Sequence, residues 1–230
     1  MEIKPIAHMH SDFPGKFGIP RQSGLVETLK GRIVFEKEYA VPEAFRGLDG
    51  YSHIWIVWEF SEAVRKNWSP TVRPPRLGGN TRLGVFATRS PFRPNPLGLS
   101  CVKLDGIEYS KTEGPVLLVS GADLMDQTPI YDIKPYLPLA DCHPEAASGF
   151  AAYTAGHRLT VELPEICAAF FTPEQQKALA GVLAEDPRPS YQHDPDRVYA
   201  MPFAGYDVCF TVAGDQLTVC EVRKIRTDKR

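Results

Sequence analysis

Residues 99–125 read LSCVKLDGIEYSKTEGPVLLVSGADLM, two apolar segments joined by the short polar stretch KTEG. β-Branched and large apolar residues dominate both segments, and turn-forming residues bound them, which predicts two consecutive strands. Upstream, residues 24–35 alternate apolar and polar positions around Gly31, which predicts a strand, a turn or bulge, and a second strand. Repeated short strands without intervening helices predict an antiparallel barrel or a sandwich, and therefore a mainly β fold.

Further outward, residues 51–60 read YSHIWIVWEF and predict a strand buried on both faces, although a buried helix also fits this apolar run. Residues 83–88, LGVFAT, predict another strand. Between them, residues 67–81 hold three prolines and two glycines without an apolar period, which predicts a long surface loop.

The character of the sequence changes after residue 145. Residues 171–184, FTPEQQKALAGVLA, predict a helix with Thr172 as N-cap, Pro173 at its first position and Gln175 completing a capping box. EDPRPSY ends this helix, and residues 206–222 predict a β-hairpin. These signals predict a smaller α+β domain over residues 146–230, after a β domain over residues 1–145.

Composition narrows the functional classes. The chain has 230 residues, 43% of them hydrophobic, and a formal net charge of -2. Its five cysteines form an odd set without a CxxC pair, which predicts reduced, mostly buried thiols and no metal site. There is no GxGxxG, GxxxxGK[ST], HExxH or GxSxG motif. The apolar runs are too short for a membrane span, so we expect a cytoplasmic protein.

A local basic region interrupts this balanced charge. No acidic residue lies between Glu62 and Asp105, and within this interval residues 88–100 read TRSPFRPNPLGLS. Three prolines exclude a helix interior or a central strand, so the arginines of this stretch stand on a stiff loop. A preorganised contact to a carboxylate or phosphate is one interpretation. A surface loop whose arginines are solvated or paired with aspartates is the other.

Three further places could bind a ligand. Asp123, Asp126 and Asp132 surround a Thr-Pro turn, where carboxylates suit a ribose diol or an ammonium group, although they could simply pair with the arginines. The loop GIPRQSG, residues 18–24, offers polar side chains that could read a purine edge. His53 borders the apolar run, and a backbone-satisfied core histidine is the competing interpretation.

Four motifs in the same order along the chain, GIPRQSG, DGYSHIWIVWEF, GVFATRSPFRPNPLGLS and DLMDQTPIYDIKPYLP, resemble the TsaA-like family. EDPRPSY resembles the second-domain motif of its bacterial tRNA methyltransferases. This resemblance implies a small antiparallel β-barrel that binds S-adenosylmethionine and acts as a homodimer. It also implies a tRNA substrate, methylated on the exocyclic nitrogen of threonylcarbamoyl-adenosine next to the anticodon.

The resemblance also implies a set of site residues. Arg89 would neutralise the methionine carboxylate of the cofactor and Leu99 would cover its adenine. The expected cofactor-binding residues are Pro20, Arg21, Gln22, His53, Ile54, Arg89, Leu99, Asp126, Thr128, Pro129, Ile130 and Tyr131. Because the attacking nitrogen is a poor nucleophile, a hydrogen-bond acceptor should help it, and Asp126 or Tyr131 is the catalytic candidate.

Contacts to RNA are expected from aromatic and basic side chains. Trp68 and Phe92 could stack on splayed bases, or could merely anchor their loops. Phosphate and base contacts are expected from Arg73, Arg76, Arg93, Arg188 and Tyr191.

Other functions remain open at this point. A methyltransferase of the same barrel could act on a small molecule or a protein. A non-catalytic module could bind an adenosyl ligand or RNA. A purely structural barrel could pair its arginines with its aspartates.

Overall fold

The computed structural model describes residues 2–64, 66–74, 77, 80–154, 158–189, 192 and 194–225. The strands are β1 (Ala7–Ser11), β2 (Lys30–Phe35), β3 (His53–Glu59), β4 (Thr71–Val72), β5 (Leu83–Gly84), β6 (Leu97–Ser110), β7 (Gly114–Ser120), β8 (Pro129–Pro135), β9 (Thr160–Glu162), β10 (Tyr199–Phe203), β11 (Tyr206–Ala213) and β12 (Gln216–Lys224). The α-helices are α1 (Pro138–Asp141), α2 (Glu165–Ala168) and α3 (Pro173–Ala184).

Six strands close into an antiparallel barrel in the order β1-β2-β7-β6-β3-β8, which confirms the predicted β-barrel. Alternate residues of β3, namely Ile54, Ile56 and Trp58, point into the barrel core, as the period of two along a strand requires. The strands β6 and β7 pair as neighbours, as the sequence predicts.

Several local predictions for this barrel are wrong. Gly31 lies inside a single strand, β2, and not at a turn or bulge between two strands. A Cβ there would lie 3.0 Å from Met9 Sδ, so the glycine allows close packing. The strand β3 is buried on one face and only half-buried on the other. Residues 83–88 form only the two-residue strand β5 followed by a 3₁₀ turn over Val85–Ala87. Of the five cysteines, only Cys167 and Cys209 are buried.

The C-terminal part has a second core. Its sheet has the order β10-β11-β12-β9, with β9 parallel to β12, and α3 packs against it. The predicted helix is confirmed: Thr172 caps it, the reciprocal hydrogen bonds with Gln175 form the capping box, and Ala178, Leu179, Val182 and Leu183 are its buried residues.

The segment between β1 and β2, residues 12–29, belongs to both parts of the molecule; we call it the connecting segment. Its residues Phe13, Val26 and Leu29 are buried in the C-terminal core. The Ala204 amide donates to the Asp12 carbonyl at 2.8 Å, and Gln175 Nε2 donates to Asp12 Oδ1 at 3.2 Å. The division of the chain into two domains near residue 145 stays a prediction. The connecting segment precedes this boundary in sequence but packs against residues that follow it.

Across the described ranges, we find no helix that is both long and apolar enough to pass through a bilayer.

Candidate functional site

A cleft of about 920 Å³ opens at one end of the barrel, a volume within the roughly 300–1,000 Å³ of small-molecule sites. Four stretches of chain form it: the connecting segment, the end of β3 with the residues after it, the loop before β6 with the start of that strand, and the turn before β8. Its walls include Ile19, Pro20, Arg21, Gln22, Trp58, Glu59, Phe60, Thr88, Arg89, Phe92, Arg93, Leu97, Gly98, Leu99, Asp123, Met125 and Thr128.

Close packing of Trp58 on Gly98 shapes the floor of the cleft. A Cβ at position 98 would lie 2.2 Å from Trp58 Cε2, so only glycine admits the indole there. The Trp58 and Phe60 rings lie 4.2 Å apart between centroids and extend the apolar surface. Leu99, paired with Val57 across the two strands, is 57% exposed and available to a ligand.

A chain of hydrogen bonds leads from this floor to a carboxylate. Trp58 Nε1 donates to Ser100 Oγ at 2.9 Å, and the Ser100 hydroxyl donates to Asp123 Oδ1 at 2.6 Å. Burial raises the pKa of Asp123, while hydrogen bonds from Ser100 and from backbone amides, together with the positive charge of Arg89, act in the opposite direction. The cleft therefore presents a fixed, partly desolvated carboxylate close to a guanidinium.

Arg89 stands exposed on the Pro-rich loop, where its Nη1 donates a hydrogen bond to Gln22 Oε1. This contact joins two of the predicted motifs, GIPRQSG and TRSPFRPNPLGLS, at the mouth of the cleft. A planar guanidinium held at an open mouth suits a carboxylate ligand.

Half of the expected cofactor-binding residues line the cleft: Pro20, Arg21, Gln22, Arg89, Leu99 and Thr128. Within the described part of the chain, the other six are not among its lining residues. Ile54 and Ile130 have no exposed surface and fill the barrel core. His53 begins β3, at the end away from Glu59, where its ring contacts Ser52 and Tyr136. Pro129 pairs with His8 in the barrel wall.

The two catalytic candidates lie next to the cleft. The Tyr131 hydroxyl donates to Glu59 Oε2 at 2.8 Å, and Glu59 is a lining residue. Burial first, and then the neighbouring Glu59 carboxylate, raises the pKa of Tyr131. Asp126 faces the end of β1, where its Oδ1 accepts from the Ser11 amide at 3.2 Å and lies 3.6 Å from His10 Nδ1.

The residues expected to contact RNA are placed in different environments. Phe92 and Arg93 line the cleft. Trp68 and Arg73 are exposed and belong to the same basic interval of the sequence. Arg188, in contrast, is only 9% exposed, and its Nε and Nη2 donate to the two carboxylate oxygens of Asp186 at 2.8 and 2.9 Å. This placement gives Arg188 an internal ion pair. Arg76 and Tyr191 lie outside the described residues.

Two family models cover most of the chain. The model described as the tRNA-methyltransferase O N-terminal domain matches residues 8–142, and the TrmO C-terminal domain model matches residues 157–225. The chain belongs to the TrmO family. It is accordingly a methyltransferase built on a β-barrel, as the ordered motifs predict.

Individual relatives agree with this assignment. The TrmO-family chain is 38% identical to the tRNA (adenine(37)-N6)-methyltransferase of Escherichia coli K12, over 96% of this chain and 98% of the relative. A candidate S-adenosylmethionine-dependent methyltransferase of Pseudomonas aeruginosa is 37% identical over 90% of each chain. The crystal structure of TrmO from Pseudomonas aeruginosa superposes with a TM-score of 0.77 at 32% identity, covering 96% of this chain and 98% of that one.

Sequence reasoning missed part of the TrmO-family cleft. Trp58, Glu59 and Ser100 were indistinguishable from strand residues, and only the pairing of β3 with β6 brings Trp58 to Ser100, which in turn contacts Asp123. The sequence placed Asp123 in a cluster of three aspartates, but it gave no sign that Asp123 alone is desolvated in the cleft. Among the described residues, no group of histidine, cysteine, aspartate and glutamate side chains is arranged to hold a metal.

Proposed function

We propose that this protein uses S-adenosylmethionine to methylate the exocyclic nitrogen of the adenosine next to the anticodon in tRNA, and that this adenosine carries a threonylcarbamoyl group. One observation supports the proposal above all others: a TrmO-family barrel has a cleft that combines Arg89, Gln22 and Asp123 with an apolar floor. The name of the Escherichia coli relative specifies adenine 37 of tRNA.

The residues of the cleft fit the proposed cofactor. S-adenosylmethionine supplies an activated methyl group on a sulfonium and carries both an α-carboxylate and an α-ammonium. Arg89 would bind the carboxylate and Asp123 would face the ammonium, because the two side chains offer opposite charges in one cleft. Leu99 and Trp58 would contact the apolar part of the adenosyl group, with Pro20, Arg21 and Gln22 beside it.

The reaction needs an acceptor for a proton, because the attacking amino group loses one when its nitrogen forms the new bond to carbon. We propose Tyr131 or Asp126 for this role. The contacts favour Tyr131 as a relay: its hydroxyl donates to Glu59 Oε2, so it would take the amino proton as it passes its own proton to the Glu59 carboxylate, whereas Asp126 already accepts from the Ser11 amide. With the cofactor and the substrate bound over it, the apolar floor would exclude water and strengthen these polar contacts.

The proposal includes tRNA binding by the basic interval, a homodimer in solution and action in the cytoplasm, where tRNA is used. Phe92 and Arg93 line the cleft, which supports their proposed contact with the substrate. Molecular mass measured by light scattering tests the dimer directly: a monomer at micromolar concentration would contradict it.

Labelled S-adenosylmethionine incubated with tRNA that carries or lacks the threonylcarbamoyl group tests the function. We expect label in adenosine 37 of the modified tRNA alone. Equal labelling of both tRNAs would refute the threonylcarbamoyl requirement, and labelling of a protein or metabolite fraction instead would refute tRNA as the substrate. Cofactor binding without any transfer would show a non-catalytic module.

Arg89→Ala should raise the Kd for S-adenosylmethionine by roughly 10- to 100-fold, since a charge-assisted hydrogen bond contributes about 1.5–3 kcal/mol. Arg89→Lys should recover part of this loss, because lysine keeps the charge but not the planar fork. Calorimetry on both variants measures the effect. The control is Arg82→Ala, which removes an exposed basic side chain that contacts Thr71. This variant should bind the cofactor like the parent protein.

A further inference from the structure

Two large aromatic side chains stand exposed outside the cleft. Trp68 is 50% exposed and Phe86 is 73% exposed, although aromatic residues of this size are usually buried. Their ring centroids lie 6.2 Å apart with 32° between the planes. We propose that Trp68 and Phe86 form a stacking platform for an unpaired base of the substrate tRNA, next to the adenosine that enters the cleft. This inference rests on the proposed tRNA substrate.

The local backbone holds both rings outward. The strands β4 and β5 pair through Thr71 with Gly84 and Val72 with Leu83, and the Val85 amide donates to the Pro70 carbonyl at 2.9 Å. Val85 is buried and anchors the 3₁₀ turn, which leaves the neighbouring Phe86 on its outer side. A platform fixed in this way loses little conformational entropy when a base stacks on it.

Arg93 connects the platform to the cleft. Its guanidinium lies over the Phe86 ring, 5.7 Å from the centroid, and its Nη1 donates to the carbonyls of Thr88 at 2.7 Å and Val85 at 3.2 Å. Arg93 also lines the cleft. A nucleotide on Phe86 would therefore be separated from the cleft by a single side chain, as expected for a base adjacent to the methylated one.

The basic residues close to the rings in sequence, together with Arg93 over Phe86, point to RNA as the occupant. Lys66, Arg73 and Arg82 are exposed in the same interval, and the sequence from residue 63 to residue 104 contains no carboxylate side chain. Aromatic rings among cations match the stacked bases and phosphates of a single-stranded loop. Such a surface combines stacking with phosphate attraction, whereas an apolar surface without this charge would suit a protein partner.

Trp68→Ala, Phe86→Ala and the double variant test the platform. Each single variant should raise the Kd and the KM for tRNA about tenfold, since stacking of one base contributes about 1–3 kcal/mol. The Kd for S-adenosylmethionine should stay that of the parent protein. Trp68→Phe should restore most of the affinity because it keeps a stacking face. The matched control is Tyr109→Ala, which removes a 60% exposed aromatic ring from the far end of β6.

Salt dependence gives a second readout. Because the aromatic variants remove no charge, the slope of log Kd against log salt concentration should stay unchanged, whereas Arg73→Ala should reduce it by about one. If Trp68→Ala and Phe86→Ala bind tRNA as tightly as Tyr109→Ala does, the platform is refuted. If they instead convert a dimer to a monomer, the rings form a subunit contact and the inference is again overturned. Failure of the parent protein to methylate any tRNA would refute the proposed function itself.

Discussion

At the scale of single residues, Asp123 is the group whose environment differs most from what its sequence suggests. It is half-buried, it accepts a short hydrogen bond from Ser100, and that serine is itself fixed by Trp58. Arg89, at the mouth of the cleft, supplies the compensating charge. The sequence could indicate Arg89 because a Pro-rich loop isolates it, but the burial of Asp123 depends on strand pairing across the barrel.

Asp123→Asn should change how stability depends on pH. Burial raises the pKa of Asp123 in the folded protein above its unfolded value, so the folded state holds this proton more tightly. The resulting stabilisation is present at low pH and is lost as the pH rises through the folded pKa. Urea unfolding between about pH 4 and pH 7 should show the variant gaining stability relative to the parent protein as the pH rises.

Ser100→Ala provides the matched comparison. The Ser100 hydrogen bond lowers the pKa of Asp123, so its removal should move the same pH-dependent loss of stability to higher pH. Identical pH profiles for the parent protein, Asp123→Asn and Ser100→Ala would show that this carboxylate is not held in a perturbed state.

At the scale of elements, β6 forms one wall of the cleft and depends on a glycine to do so. A Cβ at Gly98 would lie 2.2 Å from the Trp58 indole, which is buried and hydrogen-bonded to Ser100. Gly98→Ala should therefore lower the unfolding free energy by about 1–3 kcal/mol and shift the near-UV circular dichroism of tryptophan.

Gly106→Ala is the control within the same strand, because a Cβ added there would have no atom within 4 Å. It should change the unfolding free energy far less than Gly98→Ala does. Equal effects would mean that strand propensity, and not the contact with Trp58, sets the cost.

Local signals predicted some elements and failed for others. The helix α3 was predictable because Thr172, Pro173 and Gln175 specify its start through contacts only three residues apart. Residues 83–88 were not, because Pro70, which faces Val85 in the β4–β5 register, has no amide to return the hydrogen bond, and the Val85 carbonyl instead accepts from the Thr88 amide in a 3₁₀ turn. The role of Gly31 also depends on a distant side chain, that of Met9. Elements decided by long-range packing were the ones missed.

At the scale of the whole molecule, the connecting segment joins the cleft to the C-terminal core. Ile19 to Gln22 line the cleft, while Phe13 and Val26 are buried among C-terminal residues. Arg21 Nη2 donates to the Asp186 carbonyl at 3.4 Å, and Asp186 forms the ion pair with the buried Arg188. The sequence predicted two consecutive domains and gave no sign of these contacts between them. Contacts between residues more than 150 positions apart leave no local pattern.

This arrangement implies that the C-terminal core positions the cofactor loop. Gly18 has a φ of +92°, and a Cβ there would lie 2.0 Å from Sδ of the fully buried Met201. Gly18→Ala should therefore lower the unfolding free energy by about 2–4 kcal/mol through backbone strain and overpacking. Because the clash displaces the adjacent Ile19 to Gln22, the Kd for S-adenosylmethionine should rise about tenfold or more under conditions where the variant is still folded.

Gly15→Ala separates these two effects, since a Cβ at Gly15 would meet Pro202 Cγ at 3.8 Å, an ordinary contact, within the same segment. It should leave both stability and cofactor affinity close to those of the parent protein. Calorimetric titration and urea unfolding on the two variants measure both quantities. A Gly18→Ala protein that is destabilised but binds the cofactor normally would show that the C-terminal core supports the fold without positioning the loop. Loss of affinity in both variants would instead point to a general sensitivity of the segment, because Gly15 lacks the contact with Met201.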